Sequence, residues 1–234
     1  MNGDIKVWGK YDSERKLERL EGIGKAFSEV FYRFAKRTFD IICGLVGVVC
    51  LVPLAGVIKI CNLLTGDKES IFYAQKRIGL DGKEFNFYKF RSMVPNADEV
   101  LNEILANDEK LAEEYRINKK LENDPRVTKI GQFIRKTSLD ETPQLLNVLK
   151  GDMSLIGNRP YLPREKEDMG EYFEDIVKTK PGITGYWQVE GRSNTTFDER
   201  LKLEKYYSNH ANIKMDIKIF FKTFEVVLLH KGAK

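Results

Sequence analysis

Eighteen consecutive residues without a charge, Ile41 to Ile58 (IICGLVGVVCLVPLAGVI), constrain this chain more than any other stretch. As a helix they would rise about 27 Å, the lower limit for crossing a bilayer. Arg33, Lys36 and Arg37 precede the run and Lys59 and Lys68 follow it, so basic residues on both sides favour keeping both ends on the cytoplasmic side. Pro53 removes one backbone donor two-thirds of the way along, which predicts a kink. A re-entrant helical hairpin, entering and leaving the same leaflet, satisfies both observations; a simple spanning helix is the alternative. All three cysteines, Cys43, Cys50 and Cys61, lie in or beside this run with no metal-ligand spacing, which fits a reducing, cytoplasmic setting.

Amphipathic stretches accompany it at either end of the chain. From about Glu14 to Lys36, Phe27, Val30, Phe31 and Phe34 recur at helical spacing opposite Lys25, Arg33 and Lys36. From Asp216 to Lys231, Ile217, Phe220, Phe221, Phe224, Val227 and Leu228 share one side, with lysines available to headgroups. Each suits a membrane surface, and each suits packing against a core equally well. A net charge of +4 argues neither for nor against nucleic acid, and no motif for reading nucleic acid is present. The two histidines, His210 and His230, are isolated and read as surface residues.

Between these ends the chemistry concentrates in Thr137 to Pro160, TSLDETPQLLNVLKGDMSLIGNRP, where Asp140 and Glu141 stand side by side. Thr142 as cap, Pro143 at the first position and Gly151 past the end predict a short helix burying Leu145, Leu146, Val148 and Leu149. The two carboxylates then flank a helix N-terminus, with Arg135 and Lys136 just upstream, a neighbourhood able to hold a cation or a phosphate. Ser138-x-x-Glu141 also fits an ordinary capping box.

Ile71 to Met93 reads as a β-hairpin turning at Asp81-Gly82, with Lys89 and Arg91 on one face of its second arm and Gln75, Lys76 and Arg77 on its first; these charges suit a basic patch beside the site, and equally a solvated hairpin face. Asn96 to about Glu122 reads as a solvent-facing helical stretch, Tyr161 to Thr179 as acidic and amphipathic, Lys180 to Ser193 as a loop, and Phe197 to Tyr207 as a helix. The expected fold is α+β and helix-rich: a small β-hairpin, a re-entrant membrane helical hairpin and interfacial amphipathic helices. We divide it into an N-terminal amphipathic extension (1–35), the membrane helix (36–62) and a cytoplasmic-face catalytic domain (63–234). Paired carboxylates beside basic patches point to phosphoryl chemistry, in which carboxylates commonly hold Mg²⁺ or attack phosphorus directly.

The ordered set KRTFD at 36–40, QKRIG at 75–79, YKFRSM at 88–93, RVTKIGQFIRKTSLDETPQLLNVLKGDMSLIGNRP at 126–160 and KPGITGYWQVEGR at 180–192 resembles the bacterial monotopic phosphoglycosyl transferases, also called bacterial sugar transferases. The resemblance implies transfer of a sugar-1-phosphate from a UDP-sugar to polyprenol phosphate at the cytoplasmic face of the bacterial inner membrane, with release of UMP. It implies Asp140 as nucleophile, Glu141 as its partner in metal and proton handling, Mg²⁺ at this dyad, and Arg135 on phosphate oxygens. It further implies Arg159 and Pro160 near the nucleotide or phosphate, with Lys89, Arg91 and Arg192 as additional site cations. Asn158 replaces the first proline of the family's Pro-Arg-Pro, and Val52-Pro53 replaces its Ser-Pro helix break. The Trp-Gln-Val form of the late loop leans toward galactose or glucose. A catalytically idle membrane scaffold that binds polyprenol phosphate or a partner glycosyltransferase is the competing function, and self-association through the N-terminal helix or the membrane hairpin stays open.

Overall fold

The computed structural model describes residues 4–118, 121–191 and 195–228. Arg192 and His230 lie outside the described residues, as do the side chains of Val227 and Leu228. Helix α1 runs from Asp4 to Leu64 as one element with Pro53 inside it. The expected amphipathic helix and apolar run are therefore one helix, the boundary drawn at residue 35 falls within it, and no turn separates two helical arms at Pro53. Proline costs the carbonyl four residues earlier its partner but leaves the turns on either side intact.

One face of α1 is tied to the rest of the chain by polar groups. Tyr32 Oη and Lys36 Nζ both donate to Asp216 Oδ2, at 2.9 and 2.6 Å. Arg37 donates to the carbonyls of Val148 and Leu149. Asp40 accepts from Ser154 Oγ and the Leu155 N–H. Further along, Gly44 and Gly47 leave room for Leu149 and Leu145. Leu51 and Ile58 then join a core cluster with Ile71, Phe90 and Ile134. Lys36 and Arg37, read from sequence as free flanking charges, are thus spent inside the fold, and Lys59 likewise donates to the carbonyls of Lys68 and Glu69. The opposite face is bare: Ile42, Leu45, Val46, Val49, Val52, Val57 and Ile60 are exposed. Gly22–Leu64 is long and apolar enough to cross a membrane.

The expected hairpin forms from β1 (Phe72–Ile78) and β2 (Glu84–Phe90), antiparallel, with Tyr73 opposite Lys89 and Arg77 opposite Phe85. Asp81 and Gly82 take positive φ (55° and 74°) in its turn, as their residue types allow. The charged stretch divides into α2 (Ala97–Asn107) and α3 (Glu109–Asn118), where the Asp108 carboxylate accepts from the first free N–H groups of α3. Helix α4 (Lys129–Lys136) is capped by Thr128. A 3-10 turn, Leu139–Glu141, links it to α5 (Gln144–Lys150), which ends at Gly151 with φ of 89°.

Two sequence expectations fail here. Thr142 does not cap α5, because its hydroxyl donates to the Leu139 carbonyl. Ser138 makes no capping box, because it sits in the left-handed region (φ 57°) with its side chain unbonded to the turn. Asn147, fully buried, instead locks α5 to the hairpin: its amide donates to the Asn86 carbonyl and accepts from the Tyr88 N–H.

The stretch read as a loop, 180–193, holds β4 (Gly182–Thr184) and α8 (Tyr186–Glu190), and β4 pairs in parallel with β3 (Ser154–Ile156). A Cβ at Gly157, Gly182 or Gly185 would strike neighbouring backbone, so the glycines that suggested a loop serve close strand packing. Short helices α6 (Lys166–Met169) and α7 (Phe173–Ile176) cover the turn end of the hairpin, where Ile78, Met169, Phe173 and Ile176 share a core with Leu201 of α9 (Phe197–His210). Helix α10 (Ile213–Leu228) buries Ile219 and leaves Ile217, Phe221 and Phe224 exposed, while Phe220 meets Phe39 of α1 edge to face.

Gly131 of α4 faces the Ser92 carbonyl so closely that a Cβ would collide with it. Alanine normally gains about 1 kcal/mol over glycine inside a helix. Here Gly131→Ala is expected to lose about 1–3 kcal/mol, read as a lowered thermal midpoint.

Candidate active site

Three elements converge on the carboxylate pair. The 3-10 turn presents Asp140, which is 8% exposed, and Glu141, which is half-open to solvent. Strand β2 sends Lys89 across: its Nζ lies 2.7 Å from Glu141 Oε1 and 4.0 Å from Asp140 Oδ2. The last turn of α4 supplies Arg135, held by a 2.8 Å bond from its Nε to Ser92 Oγ. Burial raises the Asp140 carboxyl above its ordinary value; Lys89 opposes that rise, Glu141 adds to it and Arg135 opposes it.

This dyad opens on a cleft of about 810 Å³, lined among others by Tyr73, Gln75, Arg77, Lys89, Arg91, Arg135 and Arg164. The cleft is walled in part by the first turn of α2 and by Tyr115 of α3, so the charged 96–122 stretch is not merely a solvent-facing element. Arg77, which the sequence assigns with Gln75 and Lys76 to a basic patch or a solvated hairpin face, lines the cleft, whereas Arg164 carries no such expectation. The alternation of β1 was the available signal for Arg77, since residues 73, 75 and 77 share the face that carries Lys89 across the pair.

The other expected residues fall in different places. Arg91 lines the cleft, but its guanidinium is occupied by both oxygens of Asp67 at 2.9 Å and by the carbonyls of Ser70 and Met93. It acts as a tie between the segment after α1 and the hairpin. Pro160 is buried and offers its carbonyl to Arg77 Nη1 at 3.1 Å. Arg159 lies behind Arg77, its Nε buried without a partner and its backbone N–H donated to Glu204 Oε1. Asn158, in the place of a family proline, is buried and donates toward Ile176 O, Thr179 Oγ1 and Ser208 Oγ, so hydrogen bonds anchor this loop.

Among the described residues no group of three or more His, Cys, Asp or Glu side chains could hold a metal ion. A carboxylate pair beside an open cleft nevertheless suits Mg²⁺, which typically takes one or two protein carboxylates and completes its octahedron with water and substrate phosphate. Soft or tightly caged metals do not fit this donor set.

A carboxylate pair braced by cations thus opens on a cleft of mixed charge, on a domain that carries a long, half-bare apolar helix. The comparisons give its class: residues 31–230 match the bacterial sugar transferase family, and the chain belongs to that family. It is 47% identical over 201 residues to the undecaprenyl-phosphate galactose phosphotransferase of Salmonella typhimurium, covering 86% of this chain and 42% of that protein. It is 38% identical over 203 residues to the exopolysaccharide production protein ExoY of Sinorhizobium fredii, covering 85% of this chain and 88% of that one. With the UDP-glucose:undecaprenyl-phosphate glucose-1-phosphate transferase of Escherichia coli the identity is 34% over 209 residues, 86% of this chain and 42% of that protein. The chain thus spans less than half the length of several curated relatives it matches.

Glu204 of α9 is 1% exposed, and burial pushes its carboxyl from 4.5 up to about 7. The folded chain then holds a proton the unfolded chain has lost, so this group's contribution to stability is full below pH 4.5 and drains away as pH rises to about 7. Glu204→Gln keeps an oxygen for the Arg159 N–H and is expected to flatten that part of the slope in urea midpoints measured from pH 4.5 to 8.

Proposed function

We propose that this chain transfers a sugar-1-phosphate from a UDP-sugar to polyprenol phosphate through a covalent phospho-aspartate, releasing UMP, at the cytoplasmic face of the bacterial inner membrane. The observation that carries this reading is the buried Asp140 beside Glu141, both within 4.0 Å of Lys89, in a cleft that Arg77, Arg135 and Arg164 also line. Relatives named for undecaprenyl phosphate support that acceptor, and relatives named for galactose and for glucose make UDP-galactose and UDP-glucose the first donors to test.

In the first step an Asp140 oxygen attacks the sugar-bearing phosphorus. The new P–O bond forms as the bond to the bridging oxygen breaks, and UMP departs with that electron pair. In the second, a phosphate oxygen of the acceptor attacks the same phosphorus and the Asp140 carboxylate leaves, giving polyprenyl-diphospho-sugar. Lys89 keeps Asp140 ionised against its burial, while Glu141 takes any proton the acceptor phosphate brings. Arg135 neutralises phosphate oxygens. Asp140 and Glu141 would hold Mg²⁺, which when bound supplies further neutralisation of phosphate charge.

The bare face of α1 sits in lipid in this reading. Lys36, before the apolar run, is bonded to Asp216, and Ile58, at its end, packs in one cluster with Phe90 and Ile134, so both sides of the run are held by the same domain, which supports entry and exit through one leaflet rather than passage across two. With Cys43, Cys50 and Cys61 replaced, single cysteines at Thr38 and Gly66 are expected to label from the same, cytoplasmic side; labelling from opposite sides would establish a spanning helix instead.

The catalytic test measures UMP release by nanodisc-embedded protein given Mg²⁺, undecaprenyl phosphate and a panel of UDP-sugars. UMP is expected from one sugar, and Asp140→Asn is expected to lose at least about a thousandfold in rate, the scale of removing a covalent nucleophile. The wild-type rate should fall as pH drops through the titration of Asp140, whose carboxyl burial raises in the metal-free chain, because only ionised Asp140 attacks. Full activity in Asp140→Asn would eliminate the phospho-aspartate, and folded wild type that releases no UMP with any donor would favour the idle scaffold.

A further inference from the structure

The cations of the cleft fall into two groups. Lys89 has the dyad, and Arg91 has both oxygens of Asp67. Arg77, by contrast, has only Glu165 at 4.0 Å, and that carboxylate already accepts the Leu162 N–H at 2.6 Å. Among the described residues neither Arg159 nor Arg164 has a carboxylate within 4.0 Å. Arg77 and Arg164 thus line the cleft without a close carboxylate of their own, although Asp98 and Glu99 line it too, and Arg159 stands outside the cleft lining; burial of Arg77, then Arg159 and Arg164, depress the Arg77 pKa to about 10 while Glu165 resists. Arg77 is pinned by bonds to Pro160 O and Gln75 Oε1, with its Nε buried and unpartnered. Positive charge held rigidly in this way, at the wall of an open cleft, is complementary to a phosphate.

The hairpin sets where these cations lie. Its Phe72–Phe90 end packs into the cluster that holds Leu51 and Ile58 of α1, and its turn end packs on Met169 and Phe173. Lys89 therefore stands toward α1 and Arg77 toward the turn. The Lys89 ammonium and the Arg77 guanidinium each lie 5.4 Å from the Phe87 ring, so they border one continuous stretch of wall. An acceptor arriving from lipid meets the Lys89 end first. The Arg77 end is left for the water-soluble donor.

We propose that Arg77 and Arg164 form a second phosphate subsite, separate from the Asp140–Glu141 dyad, that holds the nucleotide-side phosphate of the donor and retains UMP after transfer. The assignment rests on the transferase reading above. Arg164 is the residue to change, because it lines the cleft in no described hydrogen bond or ion pair, whereas Arg77 also supports the Pro160 loop.

The experiment titrates UMP, and separately inorganic pyrophosphate, into the full chain in nanodiscs by calorimetry, for wild type, Arg164→Ala and Arg164→Gln, with melting curves to verify folding. Steady-state KM values for donor and for undecaprenyl phosphate are measured in parallel. Both variants are expected to bind UMP about tenfold more weakly and to raise the donor KM by a similar factor, with the acceptor KM within about twofold of wild type. Unchanged UMP affinity in both folded variants would overturn the subsite. A loss confined to the acceptor KM would overturn its assignment to the donor. Wild type that binds UMP in an Arg164-dependent manner without turning over any donor would leave the subsite standing and remove the transferase reading. Wild type that binds neither UMP nor pyrophosphate would remove the subsite whatever its activity.

Discussion

Polar side chains on one face of an apolar helix hold this structure together. A buried charge is tolerated only when it is paired, and Lys36, Arg37 and Asp40 each find a fixed partner on a different element: Asp216 at the start of α10, the last carbonyls of α5, and the start of β3. Tyr207 strengthens the first of these by donating to Asp216 Oδ1 at 2.7 Å. Arg37 is the most consequential. By donating to the Val148 and Leu149 carbonyls at the end of α5 it fastens to α1 the short helix that directly follows the dyad turn. Apolar contact between α1 and α5 would leave their relative sliding and rotation loosely defined; the polar bonds define both.

The carboxylate pair is held from the other side by the hairpin, through Lys89 and through the Asn147 amide that pairs with β2. The site thus stands between two rigid supports, and its charges are graded along the strand direction. The dyad is balanced by Lys89 together with Arg135 at the α1 end, while Arg77 and Arg164, without close carboxylate partners, stand toward the turn.

Much of this was legible in the residues. The Asp81-Gly82 turn, the aromatic second arm, the Gly151 stop and the amphipathic stripe of α10 follow from φ preference and periodicity, and the structure has them. What stayed hidden depends on contacts distant in sequence. The parallel pairing of β3 with β4 involves three-residue strands and glycines, which carry no alternation to read. The ties of Lys36 and Arg37 looked like flanking charge because their partners lie more than a hundred residues away. Asp140 and Glu141 stood out by adjacency, and Lys89 and Arg77 by their places on the two arms of the hairpin; Arg164 becomes a cleft residue only once the hairpin face and the Pro160 loop meet. Arg91 lines the same cleft, and its pairing with both oxygens of Asp67 is a further long-range contact that adjacency in sequence does not reveal.

The close seating of α5 on Gly44 and Gly47, between polar ties at Lys36 and Asp40 and apolar contacts at Leu51 and Ile58, has a consequence for how this helix can change. Inserting or deleting one residue between those anchors would turn one set of contacts by about 100° relative to the other. Apolar segments in lipid usually tolerate such length changes, because their neighbours are fluid. Here the length of the run is frozen by the protein behind it, so adaptation to a thicker or thinner bilayer has to come from the identity of the outward side chains and not from their number.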